Sequence, residues 1–198
     1  TGGAEASVIR QTTGKCPSVV KVDTPIGKTL YLDIIPREFG VCGVIKDAGD
    51  DPDVTNGSEI VTKVELFEEE GDIFFFGGEG VGTITQEGLK IPPGQPAINP
   101  VPRQMAEKAI RKIIGNKKAS VTVSIPGGKE LAKKTFNPRL GIVDGLSVLG
   151  TTGIVRPMSE EAMKDSLIAE LDMYAKQGHK TILFVLGGTG ETALKEQY

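Results

Sequence analysis

The sequence predicts an α+β protein in two parts. An antiparallel-rich α+β subdomain, residues 1–138, is followed by an α/β subdomain, residues 139–198, built as a βαβ unit with parallel strands. Three observations carry this reading. The first half alternates apolar and polar residues at period two, with turn residues between the runs. Two later segments, 98–119 and 159–178, change to helical spacing. The second of these lies between short apolar runs that each enter a glycine-rich loop, as parallel strands joined by a helix do. The boundary is placed near residues 136–144.

The strands come first. "SVVKVDTP" (18–25) and "KTLYLDII" (28–35) alternate on either side of "PIG", which predicts a hairpin. "SEIVTKVELFE" (58–68) alternates again, "DIFFFGG" (72–78) follows after "EEEG", and then comes "VGTITQEG" (81–88). By pattern these form a mostly antiparallel meander. In "INPVPRQMAEKAIRKIIGNKKA" (98–119), Met105, Ala109, Ile110, Ile113 and Ile114 share a helical face. Pro102 suits a first turn, and Gly115 with Asn116 supplies the stop. "ASVTVSIPGG" (119–128) returns to a strand through Val121, Val123 and Ile125.

The last third begins with "GLSVLGTTG" (145–153), read as a buried strand entering a glycine loop. "SEEAMKDSLIAELDMYAKQG" (159–178) is the clearest helix. Ser159 is its expected N-cap, Glu160 and Glu161 suit the dipole, and Gly178 closes the end. Met163, Leu167, Leu171 and Tyr174 form the expected inner stripe. "KTILFVL" (180–186) reads as a second strand, followed by "GGTGE". The chain stops where another helix should start, so this layer is expected to be incomplete. It also starts at Thr1 rather than Met, which predicts a trimmed or partial N-terminus.

Composition excludes several classes. Of 198 residues, 38% are hydrophobic, enough for a real core. A formal net charge of −3 gives no general attraction to nucleic acid. No apolar run approaches the ~18 residues of a membrane span, and no secretory signal stands at the start. Two cysteines, Cys16 and Cys42, are too few for a disulfide framework and predict a reduced, cytoplasmic protein. With one histidine, they also make a structural zinc site an unexpected feature. Gly is 26 of 198 and sits in short clusters flanked by apolar runs, which marks backbone in special conformations or in close approach to something.

Three stretches could carry chemistry. The glycine loops at 150–153 and 187–190 stand at the expected carboxyl ends of strands, where open α/β sheets bind ligands. Their Thr151, Thr152 and Thr189 add hydroxyls. "GGTGE" lacks the dinucleotide spacing G-x-G-x-x-G, and no Walker lysine follows, so NAD and ATP are weak readings. Tight turns without a ligand explain the same loops. "VIKDAGDDPDVTNG" (44–57) holds four aspartates between Asp47 and Asp53. Counted from Asp47, an EF-hand would need acidic or amide residues where Gly49 and Ser58 stand, and Gly where Pro52 stands, so calcium spacing fails. A magnesium site, a carboxylate base, or a solvated turn capped by its own aspartates stay open. In "KKTFNPRLGIVDG" (133–145), Arg139 offers a planar fork for carboxylate or phosphate beside the turn Asn137-Pro138. The alternative there is a charged linker. His179, at a helix end, is read as exposed.

These stretches resemble one family. "VIKDAGDDPDVTNG", "FGGEGVGTIT", "PAINPVPRQM", "KTFNPRLGIVDGLSVLGTTGIVRPMSEEA" and the "LGGTGE" region stand in the order and wording of the cobalt-precorrin-5B C(1)-methyltransferases, the CbiD family of anaerobic cobalamin biosynthesis. The resemblance runs from about Val19 to the C-terminus. It departs at the start, where "TGGAEASVI" keeps only part of a T-T-G-x-C-A-type segment, and at "GGTGE", where relatives tend to carry "GNYGE"-like wording. The family's usual C-terminal section is also missing.

The resemblance implies a C-methyltransferase that moves a methyl group from S-adenosyl-L-methionine to ring carbon 1 of a cobalt corrinoid precursor. The cobalt belongs to the substrate, and no protein metal is implied. The substrate carries many carboxylates, which call for cationic side chains. Arg103, Lys134, Asn137, Arg139 and Arg156 are therefore the expected substrate contacts. Asp47 and Asp50 are the expected catalytic pair, facing the cationic donor or serving as base. Gly78, Gly80, Gly150, Thr151, Thr152, Gly153, Gly187, Gly188 and Thr189 are the expected walls of the donor site. A non-catalytic corrinoid-binding or scaffolding module and a nucleotide-binding α/β protein are the alternative readings. Neither nucleic acid nor membrane is an expected partner, and a homo-oligomer stays open.

Overall fold

The structure, a computed structural model, describes residues 1–148, 152–154, 160–185 and 192. Helix α1 spans Gly2–Thr13, an element that the sequence reading did not predict. Its two opening glycines lie against other residues: a Cβ on Gly3 would press on Thr62 and on the Cys42 carbonyl. Ala4, Ala6, Ser7 and Val8 are buried, so the helix lies close on the sheet. Gly14, at φ 75°, ends it by donating to the Arg10 carbonyl.

The predicted hairpin is present. Strands β1 (Val19–Asp23) and β2 (Thr29–Asp33) pair antiparallel, with Val20 opposite Leu32 and Val22 opposite Leu30. Thr24 closes the turn, its hydroxyl donating to the Lys28 carbonyl at 2.8 Å.

Next come β3 (Ile35–Pro36), β4 (Val41–Ile45), β5 (Glu59–Glu70), β6 (Ile73–Gly77) and a short β7 (Thr83–Ile84). Helix α2 (Pro100–Ile114) follows with Asn99 as N-cap, so Pro100 rather than Pro102 takes the first position. Then come β8 (Lys117–Ser124), α3 (Gly128–Ala132), a 3-10 turn over Asn137–Leu140, β9 (Ile142–Val143) and α4 (Glu160–Lys176).

The central sheet has the order β3-β4-β5-β8-β6. Pairs from β3 to β8 are antiparallel, but β6 runs parallel to β8, with Ile73 opposite Ala119 and Gly77 opposite Val123. The meander expected from the pattern is thus broken at β6. A parallel pair needs a long crossover, and α2 supplies it between β6 and β8. Val64, Val121, Ile73 and Ile110 fill the main core between this sheet and helices α1 and α2, together with Ala4 and Val8.

The expected βαβ unit of the last third is not formed among the described residues. Residues 145–148 do not make a regular strand. Leu146 and Val148 bridge in parallel to Val81 and Ile98 instead, while β9 pairs with β7. Residues 180–185 are neither helix nor strand, with Leu183 and Phe184 exposed. An apolar run becomes a strand only beside a free edge, and no such pairing occurs among the described residues. The α4 helix is where the sequence puts it, but its buried anchor is Met173, 2% exposed, which lies against Gly88. Leu167, expected inside, is exposed. The expected cap Ser159 and the side chain of Met163 lie outside the described part. His179 is exposed at the helix end, as predicted, with its ring edge-to-face on Tyr174. No helix among the described residues is long and apolar enough to cross a membrane.

Candidate functional site

Strand register brings the segments holding Asp47, Asp50, Gly78 and Gly80 to one end of the central sheet. Ile45 at the end of β4 faces Glu59, Val61 faces Ser124 at the end of β8, and Val123 faces Gly77 at the end of β6. The acidic loop 46–58, the glycine turn after β6 and the turn after β8 therefore emerge side by side. These are the carboxyl ends of β4, β6 and β8, and β6 and β8 form a parallel crossover pair, the setting in which α/β sheets place ligands.

The acidic loop is tied at its base. Gly57 N–H donates to the Lys46 carbonyl at 2.9 Å, and Lys46 N–H donates to the Ser58 carbonyl at 2.9 Å. Asp53 takes an ion pair from the Lys46 ammonium and a 2.8 Å bond from the Thr55 N–H. Burial works to raise the Asp53 pKa, but the bonds from Lys46 and Thr55 outweigh it and hold the carboxyl below its usual value. Asp47 caps the turn by accepting from Gly49 N–H at 2.8 Å, and Asn56 accepts from Ala48 N–H at 2.9 Å. Asp50 is exposed at the tip. No group of three or more His, Cys, Asp or Glu side chains among the described residues is arranged to hold a metal ion.

Glycines 78 and 80 approach the protein itself. A Cβ on Gly78 would collide with the Ser124 hydroxyl, and one on Gly80 with the Ile125 carbonyl oxygen and the Gly128 backbone. Gly80 also sits at φ 71°, where an L side chain is strained. Its carbonyl accepts from Leu146 N–H at 2.8 Å, and Gly82 N–H donates to the Leu146 carbonyl at the same distance. This backbone junction is completed by Asn137, 6% exposed. Its amide donates to the Gly145 carbonyl at 3.2 Å and accepts from the Ser147 hydroxyl at 3.1 Å. Both ends of the Asn137 side chain are thus engaged inside the fold.

Around that anchor the chain presents a cationic surface. Lys134 and Arg139 are exposed and form no ion pair among the described residues. Phe136, 61% exposed, lies under the Arg139 guanidinium at 5.8 Å. The neighbouring lysines differ: Lys129 pairs with Asp144 and Lys133 with Glu130.

Arg103 is half-buried on α2. It donates from Nε to the Ile98 carbonyl at 2.7 Å and from Nη2 to the Pro96 carbonyl at 3.2 Å, and burial lowers its pKa. It holds the entry of α2 in place. It also lines an open groove of about 440 Å³ with the β6 residues 73–76 on one side and Gln104 and Glu107 on the other. Thr152 folds locally, its hydroxyl donating to the Ile154 carbonyl at 2.8 Å, and Gly153 at φ 74° lies against Thr24 and Met105. Gly150, Thr151, Arg156, Gly187, Gly188 and Thr189 lie outside the described residues.

One carboxylate was missed by sequence reasoning. Glu5, in the first turn of α1, is half-buried, and desolvation raises its pKa against the pull of Lys112. Nothing in its local wording separates it from an ordinary dipole-favouring glutamate.

A family model described as CbiD matches residues 1–157. The cobalt-precorrin-5B C(1)-methyltransferase of Thermoanaerobacter sp. is 50% identical over 190 residues, covering 93% of this chain and 52% of that protein. The enzyme of the same name from Alkaliphilus metalliredigens is 52% identical over 184 residues, covering 90% and 48%. That from Methanocaldococcus jannaschii is 46% identical over 201 residues, covering 98% and 55%. Among solved structures, the cobalamin biosynthesis protein (cbiD) from Archaeoglobus fulgidus matches with a TM-score of 0.61 and 29% identity. That match covers 85% of this chain and 55% of the other. The chain spans about half the length of the curated relatives it matches.

Proposed function

The chain belongs to the CbiD family, and on that premise we propose that it serves methylation of carbon 1 of cobalt-precorrin-5B, giving cobalt-precorrin-6A, with S-adenosylmethionine as donor. The observation that carries the reading is the match, sustained over most of the chain, to relatives named for that reaction. A cytoplasmic place in small-molecule biosynthesis goes with it. Cobalt enters as part of the substrate.

The donor supplies an activated methyl group, so the chain's own task is to position the ring carbon and the methyl in line and to keep the geometry fixed. Lys134 and Arg139 are assigned to the substrate's carboxylates. Their support is exposure, the lack of an ion-pair partner among the described residues, and the Asn137 anchor between them. Phe136 offers an apolar face for the macrocycle next to the guanidinium. Asp47 and Asp50 are assigned to the cationic donor or to proton removal, because Asp53 is already committed to Lys46.

For the donor, the groove beside Arg103 fits better than the Gly80 turn, whose space the protein fills itself. An apolar strand edge suits an adenine ring. Arg103 and Glu107 suit the carboxylate and ammonium of an amino-acid end. Arg103 thereby moves from the substrate's contacts to the donor's.

Calorimetry of the folded chain with S-adenosylmethionine and S-adenosylhomocysteine tests the proposal. Binding of either in the micromolar range is expected. Absence of binding to both, with the chain shown to be folded by circular dichroism, would overturn it.

A further inference from the structure

The fold brings the chain's two cysteines together. Cys16 lies in the loop between α1 and β1, and Cys42 lies on β4 of the central sheet, 26 positions later. Their sulfurs are 3.6 Å apart. Both are free thiols. Cys42 is fully buried in the small core under the hairpin, with Val20, Val22 and Ile34, while Cys16 packs on that core from a half-exposed position. A pair of thiols in such contact needs to close by about 1.5 Å to reach bonding distance. The composition alone gave no reason to expect the meeting, because nothing local in the sequence links the two residues.

We propose that Cys16 and Cys42 form a thiol–disulfide exchange site that takes a low-molecular-weight disulfide and becomes an internal Cys16–Cys42 bond. The order of events follows from exposure. The Cys16 thiolate attacks one sulfur of the small disulfide. That S–S bond breaks, one small thiol leaves with a proton, and Cys16 carries the other half as a mixed disulfide. The Cys42 thiol then gives up its proton and attacks the Cys16 sulfur at short range, expelling the second small thiol. Two protein thiols are oxidised and one small disulfide is reduced to two thiols, so atoms and electrons balance. Burial pushes the Cys42 thiol upward in pKa, which makes it a poor first attacker and leaves it the resolving partner.

The bond has a structural consequence. It fastens the loop that launches the β1–β2 hairpin onto β4, the strand that runs directly into Lys46 and the acidic loop. Two parts of the fold that meet at these thiols become covalently joined, and the unfolded chain is constrained by a loop closed across 26 positions.

The test uses the whole chain, reduced and then held in glutathione buffers of increasing oxidised fraction. Both thiols are expected to disappear together. Intact mass should fall by two hydrogens, the product should stay single-chain on a non-reducing gel, and peptides holding Cys16 and Cys42 should be recovered joined. The oxidised form should melt about 5 to 10 °C higher than the reduced form. A lasting glutathione adduct on Cys16 with Cys42 still free, a cross-link between chains, or retention of both thiols would each overturn the proposal. Cys16→Ser, a change at a half-exposed loop position, tests the order. Its Cys42 should remain unmodified in the same buffers, and ready glutathionylation of Cys42 in that variant would overturn the route through Cys16.

Discussion

The Lys46 ammonium and the Asp53 carboxylate form an ion pair across the base of the acidic loop, and Thr55 donates to that same carboxylate from its N–H at 2.8 Å and from its hydroxyl at 2.6 Å. Of the four aspartates, this one is a structural tie. Its carboxyl pKa is held below the ordinary value, so it stabilises the fold above the unfolded value of about 3.9, and that contribution is lost as pH falls through the folded value. Asp53→Asn should therefore cost about 1–3 kcal/mol at neutral pH. The gap to the parent protein should begin to shrink below about pH 4 and close as pH falls through the folded value, below which both carry an uncharged group. Urea titrations at pH 7 and at pH 3.5 check both statements. A gap that persists unchanged into acid would show that the pair is not the source.

Gly80 gives the second prediction. At φ 71°, with the Ile125 carbonyl and the Gly128 backbone occupying the space a Cβ would need, the position takes no side chain. Gly80→Ala should destabilise by about 3 kcal/mol or more, since strain and backbone displacement add. Gly57, also at positive φ but with open space around it, isolates the conformational part. Gly57→Ala should cost about 1 kcal/mol. Thermal melts of the two variants side by side read the difference, and equal losses would remove the packing argument.

These two loops also show how far sequence reading reaches. The hairpin around Pro25–Gly27, α2 and α4 are legible because each has a local period and local punctuation. The parallel pairing of β6 with β8 is not, since strand order depends on where α2 carries the chain. Helix α1 hides behind an opening Gly-Gly, whose small size serves contact with Leu32 and Thr62 rather than a turn. "KTILFVL" reads as a strand on composition, yet residues 180–185 meet no sheet edge among the described residues. At the site, a glycine required by the protein's own backbone looks in sequence like one required by a ligand. Gly80 belongs to the first kind. Lys134 and Arg139 were legible as cations, while their freedom from ion pairs emerges only when Lys129 and Lys133 are seen with their carboxylates.

Arg139 gives the third prediction. Its guanidinium stands over the exposed Phe136 ring and meets no carboxylate among the described residues. Arg139→Ala should weaken binding of the cobalt corrinoid by about tenfold, the scale of one lost charge-assisted contact. S-adenosylhomocysteine binding should not move and the melting temperature should hardly change, because among the described residues this side chain forms no ion pair and its ring contact, with the exposed Phe136, lies at the surface. Arg139→Lys should restore only part of the loss, having the charge without the planar fork. Spectroscopic titration with the corrinoid and calorimetry with S-adenosylhomocysteine give the two affinities. An unchanged corrinoid affinity would take Arg139 out of the site.

Asp47 and Asp50 give the last prediction, and the local geometry makes it a clean one. Asp50 is exposed at the loop tip, and Asp47 makes a single cap to Gly49 N–H at 2.8 Å that an asparagine oxygen can also make. Asp47→Asn and Asp50→Asn should each stay within about 0.5 kcal/mol of the parent in stability, the usual range for surface changes. If either carboxylate faces the cationic donor or removes a proton, its variant should lose methyl transfer by about 100-fold or more, the range of general acid–base catalysis. The two variants then separate the roles. A residue facing the donor should weaken S-adenosylmethionine binding more than S-adenosylhomocysteine binding, because the first carries the sulfonium charge and the second does not. A base should leave both affinities intact and lower the rate alone. Rate losses that merely track a fall in melting temperature would return the whole loop to a structural turn.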